Sequence, residues 1–384
     1  MLPKTECADR VARLKTRLRE QGLDGALFTY PVDVLYFSGT RQNAALWIPA
    51  AGKPMLLVRK SFERATKESA VADVRPFPPS RELPSLLDGG ARRIGLTFDV
   101  LPMQHYTFYS GLLSGREFAD ISAINRELRA VKSAWELERM RQSAGKLVEV
   151  FSEIPRFLKP GMRELDLAAE LEYRLRYAGS EGRFSMRAFG QDIVGLAAAG
   201  GTASEPGCFD GPITGRGLSI AAPYGPSREV IAENVPIVVD YAGAFEGYMI
   251  DMTRIFVIGE LTPEMNKAFA VSLTVQEWLE ESLTPGRTCE DLYGGAVKIA
   301  EESGLGKYFM GQARFVGHGV GLELDELPVL ARGFKSPLQA GNTIAIEPKF
   351  VFPGLGAIGI ENTYAVAQSG GERLTVLSDE IVRL

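Results

Sequence analysis

The sequence predicts an α/β domain over residues 1–131 followed by an α+β domain over 132–384 built as a pseudo-twofold repeat. Three observations predict this. Short apolar runs alternate with helix-like segments through the first third of the chain. Ser133-Ala-Trp-Glu136 then forms a capping box, in which the serine oxygen accepts an orphan backbone N–H while Glu136 reaches back. Beyond it, Pro160-Gly161 is followed five residues after the glycine by Asp166-Leu167, and Pro285-Gly286 at the same interval by Asp291-Leu292. Each of these pairs lies between two helical segments. At 384 residues the chain is too long for one typical domain and comfortable for two.

The elements follow in order. An amphipathic helix over 9–21 gathers Val11, Leu14, Leu18 and Leu23 on one stripe and stops at Gly22. Strand-like runs begin at Gly25, Ala44, Met55 and Ile94, with helix-like segments near 61–71 and 102–114. His105 stands alone there, and no catalytic constellation accompanies it. A long helix is expected over 133–158, closed by Lys159-Pro160-Gly161, with a second over 163–178. The matching pair covers 263–282, with Thr262 as cap and Pro263 in the first turn, and 288–303. The glycine-rich stretch 179–226 carries Phe184, Met186, Phe189, Ile193 and Leu196, which argues for strands and tight turns.

Composition excludes several function classes. With 43 Lys+Arg against 48 Asp+Glu the net charge is −5, so no overall basic field attracts nucleic acid or an acidic membrane. Three cysteines without CxxC spacing argue against a disulfide framework and for a reducing cytoplasm. The charged N-terminus lacks the apolar core of a signal peptide, and no apolar run is long enough to span a bilayer. Two histidines, His105 and His318, exclude a histidine-rich zinc site.

The chemistry-bearing residues lie in the second domain. Pro236-Ile-Val-Val-Asp240 is an apolar strand ending in an acid, and Asp251 opens the facing strand of a hairpin. His318 sits between Gly317 and Gly319 in a segment that continues to Asp325-Glu326-Leu-Pro328. A second hairpin is expected from Asn342-Thr-Ile-Ala-Ile-Glu347-Pro to Ala357-Ile-Gly-Ile-Glu361. Gly354 to Gly359 matches GxGxxG, but a strand follows it where a dinucleotide site requires a helix. Burying a carboxylate among apolar neighbours is costly unless a cation compensates. Two divalent cations would neutralise the −4 of Asp240, Asp251, Glu347 and Glu361. An oxygen-rich set with one imidazole suits Mn, Co, Fe or Zn. The competing arrangement, acids on solvated strand edges, would have to hold for every one of these residues at once.

In that order and setting the residues resemble the M24 metallopeptidases of the pita-bread fold, in the creatinase, prolidase and aminopeptidase P branch. Arg10-Val-Ala-Arg-Leu, Gly22-Leu-Asp-Gly-Ala and Tyr36-Phe-Ser-Gly look like that branch's N-terminal domain, and Leu128 to Glu136 like the start of its catalytic domain. The resemblance implies that Asp240 chelates one metal, that Asp251 and Glu361 bridge two, and that His318 and Glu347 complete the second. Glu347 would also accept a proton from the attacking water. It further implies cleavage after an N-terminal residue, often before proline, with manganese favoured, a peptide or small-molecule substrate, and a homodimer. The expected catalytic residues are therefore Glu347, Asp325 and His318.

The sequence departs from that pattern at three places. Asp325 stands where the family's peptidases commonly have histidine. Thr202 to Asp210 contains no histidine where the family has one. Gly359 replaces an arginine usually found two residues before the last glutamate. An ionised Asp325 cannot donate a hydrogen bond, though it can bind a cationic group such as an α-amine. These departures leave a hydrolase or lyase of a small non-peptide metabolite, or a silent binding protein, as alternatives.

Overall fold

The computed structural model describes residues 1–87, 90–187 and 193–384. Its compact units are Met1–Arg129 together with Arg187, and Ala130–Met186 together with 193–384.

In the first unit the strands are β1 (Gly25–Phe28), β2 (Ala44–Pro49), β3 (Met55–Val58), β4 (Asp73–Pro76), β5 (Arg93–Leu96) and β6 (Glu117–Asp120). Among the described residues they form one sheet in the order β4-β3-β2-β1-β5-β6. The pairs β1–β2 and β2–β3 are antiparallel and the rest parallel. Leu27, Trp47, Leu57 and Ile94 pack one core against this sheet. Gly25 is required under Trp47, because a Cβ there would fall 2.2 Å from the indole. The first helix runs over Lys4–Glu20, beginning five residues before the amphipathic stripe suggests.

In the second unit the capping box forms as expected: Ser133 Oγ accepts from Glu136 N at 3.2 Å, and Glu136 Oε2 accepts from Ser133 N at 3.0 Å. The helix it opens covers Ala134–Ser152, not the whole of 133–158. A separate turn, Ile154–Phe157, follows the break. Pro155 causes it, since a proline there has no N–H to bond the carbonyl four residues back. Helices Glu164–Tyr177, Pro263–Ser282 and Cys289–Glu302 match their expected spans to within a residue or so at each end.

The strands continue as β7 (Leu196–Ala199), β8 (Ile237–Phe245), β9 (Tyr248–Val257), β10 (Phe315–Gly319), β11 (Glu326–Ala331), β12 (Thr343–Ile346), β13 (Lys349–Phe352), β14 (Gly356–Gly359), β15 (Asn362–Ala367), β16 (Gly370–Arg373) and β17 (Val382–Arg383). The sheet orders among described residues are β17-β9-β8-β7 and β11-β10-β12-β15-β16, with β13-β14 apart. Two helices followed by a sheet thus occur twice, as the Pro-Gly repeat implies. Beyond β7 and the 3₁₀ turn Gly200–Ser204, the described part of 179–226 holds tight turns but no further strand, and Phe189 lies outside the described residues.

The hairpin β8–β9 is the longest ladder, running from Ile237↔Phe256 to Phe245↔Tyr248. Its two turn residues, Glu246 and Gly247, have φ of 50° and 88°, the geometry that matches the twist of paired strands. The second expected hairpin is divided between two sheets. β12 pairs with β15, β13 pairs with β14, and Glu347-Pro348 and Ile360-Glu361 fall at the junctions. Pro348 cannot donate to a ladder, so the strand breaks there and Glu347 is freed from regular pairing.

Candidate active site

Asp240 pairs across the β8–β9 ladder with Thr253, and Asp251 with Ala242, so both acids point from the same face of one sheet. His318 lies on β10, whose partners are β11 and β12. Glu361 forms an isolated bridge to Thr253, which carries the β14–β15 junction onto β9. The five residues therefore come from β8, β9, β10 and the β12–β13 and β14–β15 junctions, and all five line one cleft.

Asp251, His318 and Glu361 each present a donor atom, and these lie within 4.8 Å of one another. All three side chains are buried. The spacing and the mix of carboxylate oxygen and imidazole nitrogen fit one divalent cation. Glu347 Oε1 lies 3.6 Å from His318 Nε2, on the same side. His318 Nδ1 faces only acceptors: Asp325 Oδ1 at 3.0 Å, Leu324 O at 3.1 Å and Gly319 O at 3.2 Å. Nδ1 must therefore carry a proton, so in the neutral imidazole Nε2 is the nitrogen with the lone pair, on the side of Glu347 and Glu361.

One further residue, absent from the sequence expectations, occupies the centre. Lys349 Nζ donates to Asp240 Oδ2 at 2.7 Å, Glu347 Oε2 at 2.8 Å and Glu361 Oε2 at 3.0 Å, and the lysine is 1% exposed. Thr253 Oγ1 also donates to Glu361 Oε2, at 2.7 Å. A signal existed in principle. Lysine next to Glu347-Pro348 in an apolar strand is as costly to bury as the acids, and it is their natural partner.

Electrostatics follow from this packing. Burial would lower the Lys349 pKa, but the carboxylates of Asp240, Glu347 and Glu361 outweigh it and hold the ammonium well above its ordinary value. Burial raises Asp240, against the pull of Lys349, and raises Asp251 strongly with help from Glu361 and Asp240. Burial would depress His318, but Asp325, Glu347, Asp251 and Glu361 push it up to about 9.

A cleft of about 670 Å³, counting its open mouth, lies over these groups. Its floor includes Asp240, Asp251, His318, Glu347 and Glu361, and its walls include Phe184, Phe209, Phe315 and Leu324. Asp325 lines it as well, with its side chain 45% exposed. So does Asp210, from the segment that lacks histidine. That segment is tied down by Glu164, which accepts from Ala199 N at 2.7 Å, Ser227 N at 2.8 Å and the Thr202 hydroxyl.

The profile described as metallopeptidase family M24 matches residues 138–368, and that of the creatinase/prolidase N-terminal domain matches residues 10–131. The chain belongs to metallopeptidase family M24. Among M24 relatives, an Xaa-Pro dipeptidase from Pyrococcus furiosus is 27% identical, over 97% of this chain and 99% of its own. The structure of an Xaa-Pro dipeptidase from Bacillus anthracis superposes with a TM-score of 0.86 at 22% identity, over 98% of this chain and all of that one. An X-Pro aminopeptidase from Thermotoga maritima superposes with a TM-score of 0.82 at 25% identity, over 97% and 99%. The fold is thus the creatinase-type N-terminal domain followed by the pita-bread domain. Membership makes the protein a metallopeptidase-type hydrolase that uses divalent metal. No helix among the described residues is long and apolar enough to cross a membrane.

Proposed function

We propose that this M24 hydrolase removes the N-terminal residue from short peptides, in the manner of an Xaa-Pro dipeptidase or aminopeptidase. The single observation that carries the reading is the meeting of Asp251, His318, Glu361 and Glu347 beneath a cleft with apolar walls. In this reading those four residues hold divalent metal, which when bound polarises the scissile carbonyl and lowers the pKa of the attacking water.

The chain's own groups do the rest. Asp325 and the carbonyls of Leu324 and Gly319 fix the His318 tautomer. Lys349 keeps Glu347 Oε2 occupied, so Oε1, the oxygen on the side of the metal donors, is the one left to take a proton. Glu347 Oε1 takes that proton as the water oxygen adds to the carbonyl carbon, and returns it to the nitrogen as the C–N bond breaks. Acids at Asp325 and Asp210 give the cleft the charge that draws in a peptide α-amine. Phe184, Phe209 and Phe315 offer apolar faces to the residue beside it. Manganese as the working ion and a homodimer complete the proposal on the strength of the resemblance, and a cytoplasmic setting on that of the cysteine spacing.

A second reading is favoured by one observation. Asp325 and Asp210 line the cleft where peptidase histidines are expected to donate to the reacting carbonyl, and losing one such donor costs about 10²–10³ in turnover. Under that reading the substrate is a small cationic metabolite.

The test is a mass-spectrometric cleavage panel. The protein, loaded separately with Mn, Co, Fe and Zn, is offered Xaa-Pro dipeptides, longer Xaa-Pro peptides and non-proline controls. Metal-dependent release of the first residue supports the peptidase. Bound metal with every peptide left intact refutes it in favour of the metabolite enzyme.

A further inference from the structure

The resemblance calls for two cations among the four carboxylates, and the side chains leave room for one. An ammonium group has three N–H donors. Those of Lys349 meet three different carboxylates, at 2.7, 2.8 and 3.0 Å. The match is complete: each proton has a carboxyl oxygen as acceptor, and the side chain is 1% exposed, so water does not compete. A divalent ion held by the same oxygens would sit about 2.0–2.2 Å from each. Nζ lies inside the volume such an ion needs, so ion and ammonium exclude each other.

The neighbouring strand is shaped for this. β13 and β14 pair Lys349 with Gly359. A Cβ at Gly359 would lie 2.7 Å from the lysine Cα and 2.8 Å from its Cγ, closer than Cβ atoms approach. Only glycine opposite lets the stem turn into the carboxylates. Position 359 is also where the resembled pattern carries arginine, so one strand lacks a long cation there while its partner carries Lys349 opposite.

What remains outside the lysine's reach is a single donor set. Asp251, His318 and Glu361 stay grouped within 4.8 Å, and His318 Nε2 lies 3.9 Å from Glu361 Oε1 and 3.6 Å from Glu347 Oε1, both oxygens that Lys349 does not hold. Asp240, by contrast, gives Oδ2 to Lys349 and is absent from that group.

We propose that this protein binds one divalent cation per chain, at Asp251, His318, Glu361 and Glu347, and that the Lys349 ammonium stands permanently in the second cation's place. The inference rests on the metal-dependent reading above. Its consequence is a site with one exchangeable positive charge and one tethered charge that no chelator removes.

The test is metal stoichiometry together with spin coupling. The full chain is saturated with Mn(II), freed of excess ion, and analysed by inductively coupled plasma mass spectrometry and electron paramagnetic resonance. The wild type should hold one Mn per chain, with the spectrum of an isolated ion. Lys349→Gly should rise to two, with the spectrum of an exchange-coupled pair. Asp240→Asn should keep the single ion, because Asp240 serves the lysine and not the metal. Two ions or a coupled spectrum in the wild type would overturn the proposal and leave the hydrolase reading standing. No bound ion in the wild type would overturn both. A folded Lys349→Gly that still binds one ion, or an Asp240→Asn that loses it, would likewise refute the lysine's role.

Discussion

Replacing Asp325 with alanine should weaken metal binding about tenfold while leaving the fold intact. The carboxylate is 3.0 Å from His318 Nδ1, and its effect on the opposite ring nitrogen is to orient the imidazole and raise its basicity as a donor. Outer partners of metal-bound histidines are worth about 10–100-fold in affinity, or ~1.4–2.8 kcal/mol. Two features place this case at the low end. The Leu324 and Gly319 carbonyls, at 3.1 and 3.2 Å, still hold the Nδ1 proton in the variant. Asp325 is also 45% exposed, so solvent screens its charge. The assay is competition for Mn(II) against a chelating dye, wild type beside Asp325→Ala, with KM for an Xaa-Pro peptide measured in parallel. An unchanged metal affinity with a raised KM would refute the reasoning, because Asp325 would then act on the substrate amine and not through His318. The same variant has a proton readout. Asp325 is the first of the carboxylates that raise the metal-free His318 pKa to about 9, so its removal should bring that titration down toward the ordinary 6.5. With two histidines in the chain, proton NMR against a His105→Gln control assigns it.

Four other outcomes follow from the packing. In the metal-free protein His318 titrates at about 9 against 6.5 unfolded, so the stability it contributes is full below pH 6.5 and lost as pH rises through 9, a loss that chemical denaturation at pH 6 and pH 10 should register. Gly359→Ala should cost about 1–3 kcal/mol, because the new Cβ meets the Pro348 carbonyl oxygen at 2.4 Å and the Lys349 Cα at 2.7 Å, both backbone atoms that no rotamer change can move; an unchanged denaturation midpoint would contradict this. Lys132→Met removes the ammonium 3.0 Å from Glu326, with 1% and 6% of the two side chains exposed, and should cost about 3–5 kcal/mol, most of it recovered when Glu326→Gln is added. Burial pushes the thiols of Cys7 and Cys289 up to about 11 while Cys208 is exposed, so Ellman's reagent at pH 8 should count one fast thiol in the native protein and three after denaturation.

The acids were readable in sequence because each is an energetic anomaly on its own strand. Asp251 and Glu361, 7% and 1% exposed, stand among apolar neighbours that make their burial visible without any structure. Helix ends were readable for the same local reason: Ser133, Thr262 and Thr288 cap within three residues of themselves. The break at Pro155 is equally local, and the helix expected over 133–158 runs past it. What could not be read locally is pairing. The run from Asn342 to Tyr364 looks like one hairpin, and only the two sheets that claim its halves show that Glu347 and Glu361 sit at its seams.

Lys349 is the clearest case, because its partner Asp240 lies 109 residues away on another sheet and its room comes from Gly359 across a strand pair. Each fact is unremarkable in the sequence: a lysine after a proline, a glycine where an arginine is usual. Their conjunction changes the charge count on which the two-ion expectation rested. Four carboxylates alone call for two divalent ions. With the ammonium among them, two ions would leave the site at +1, whereas one ion leaves −1. A cleft with that residual negative charge, and further acids at Asp325 and Asp210, is complementary to a ligand that brings a cation of its own, and the free amino terminus of a peptide is such a ligand. The lysine that removes a metal thereby strengthens the case for an amine-bearing substrate.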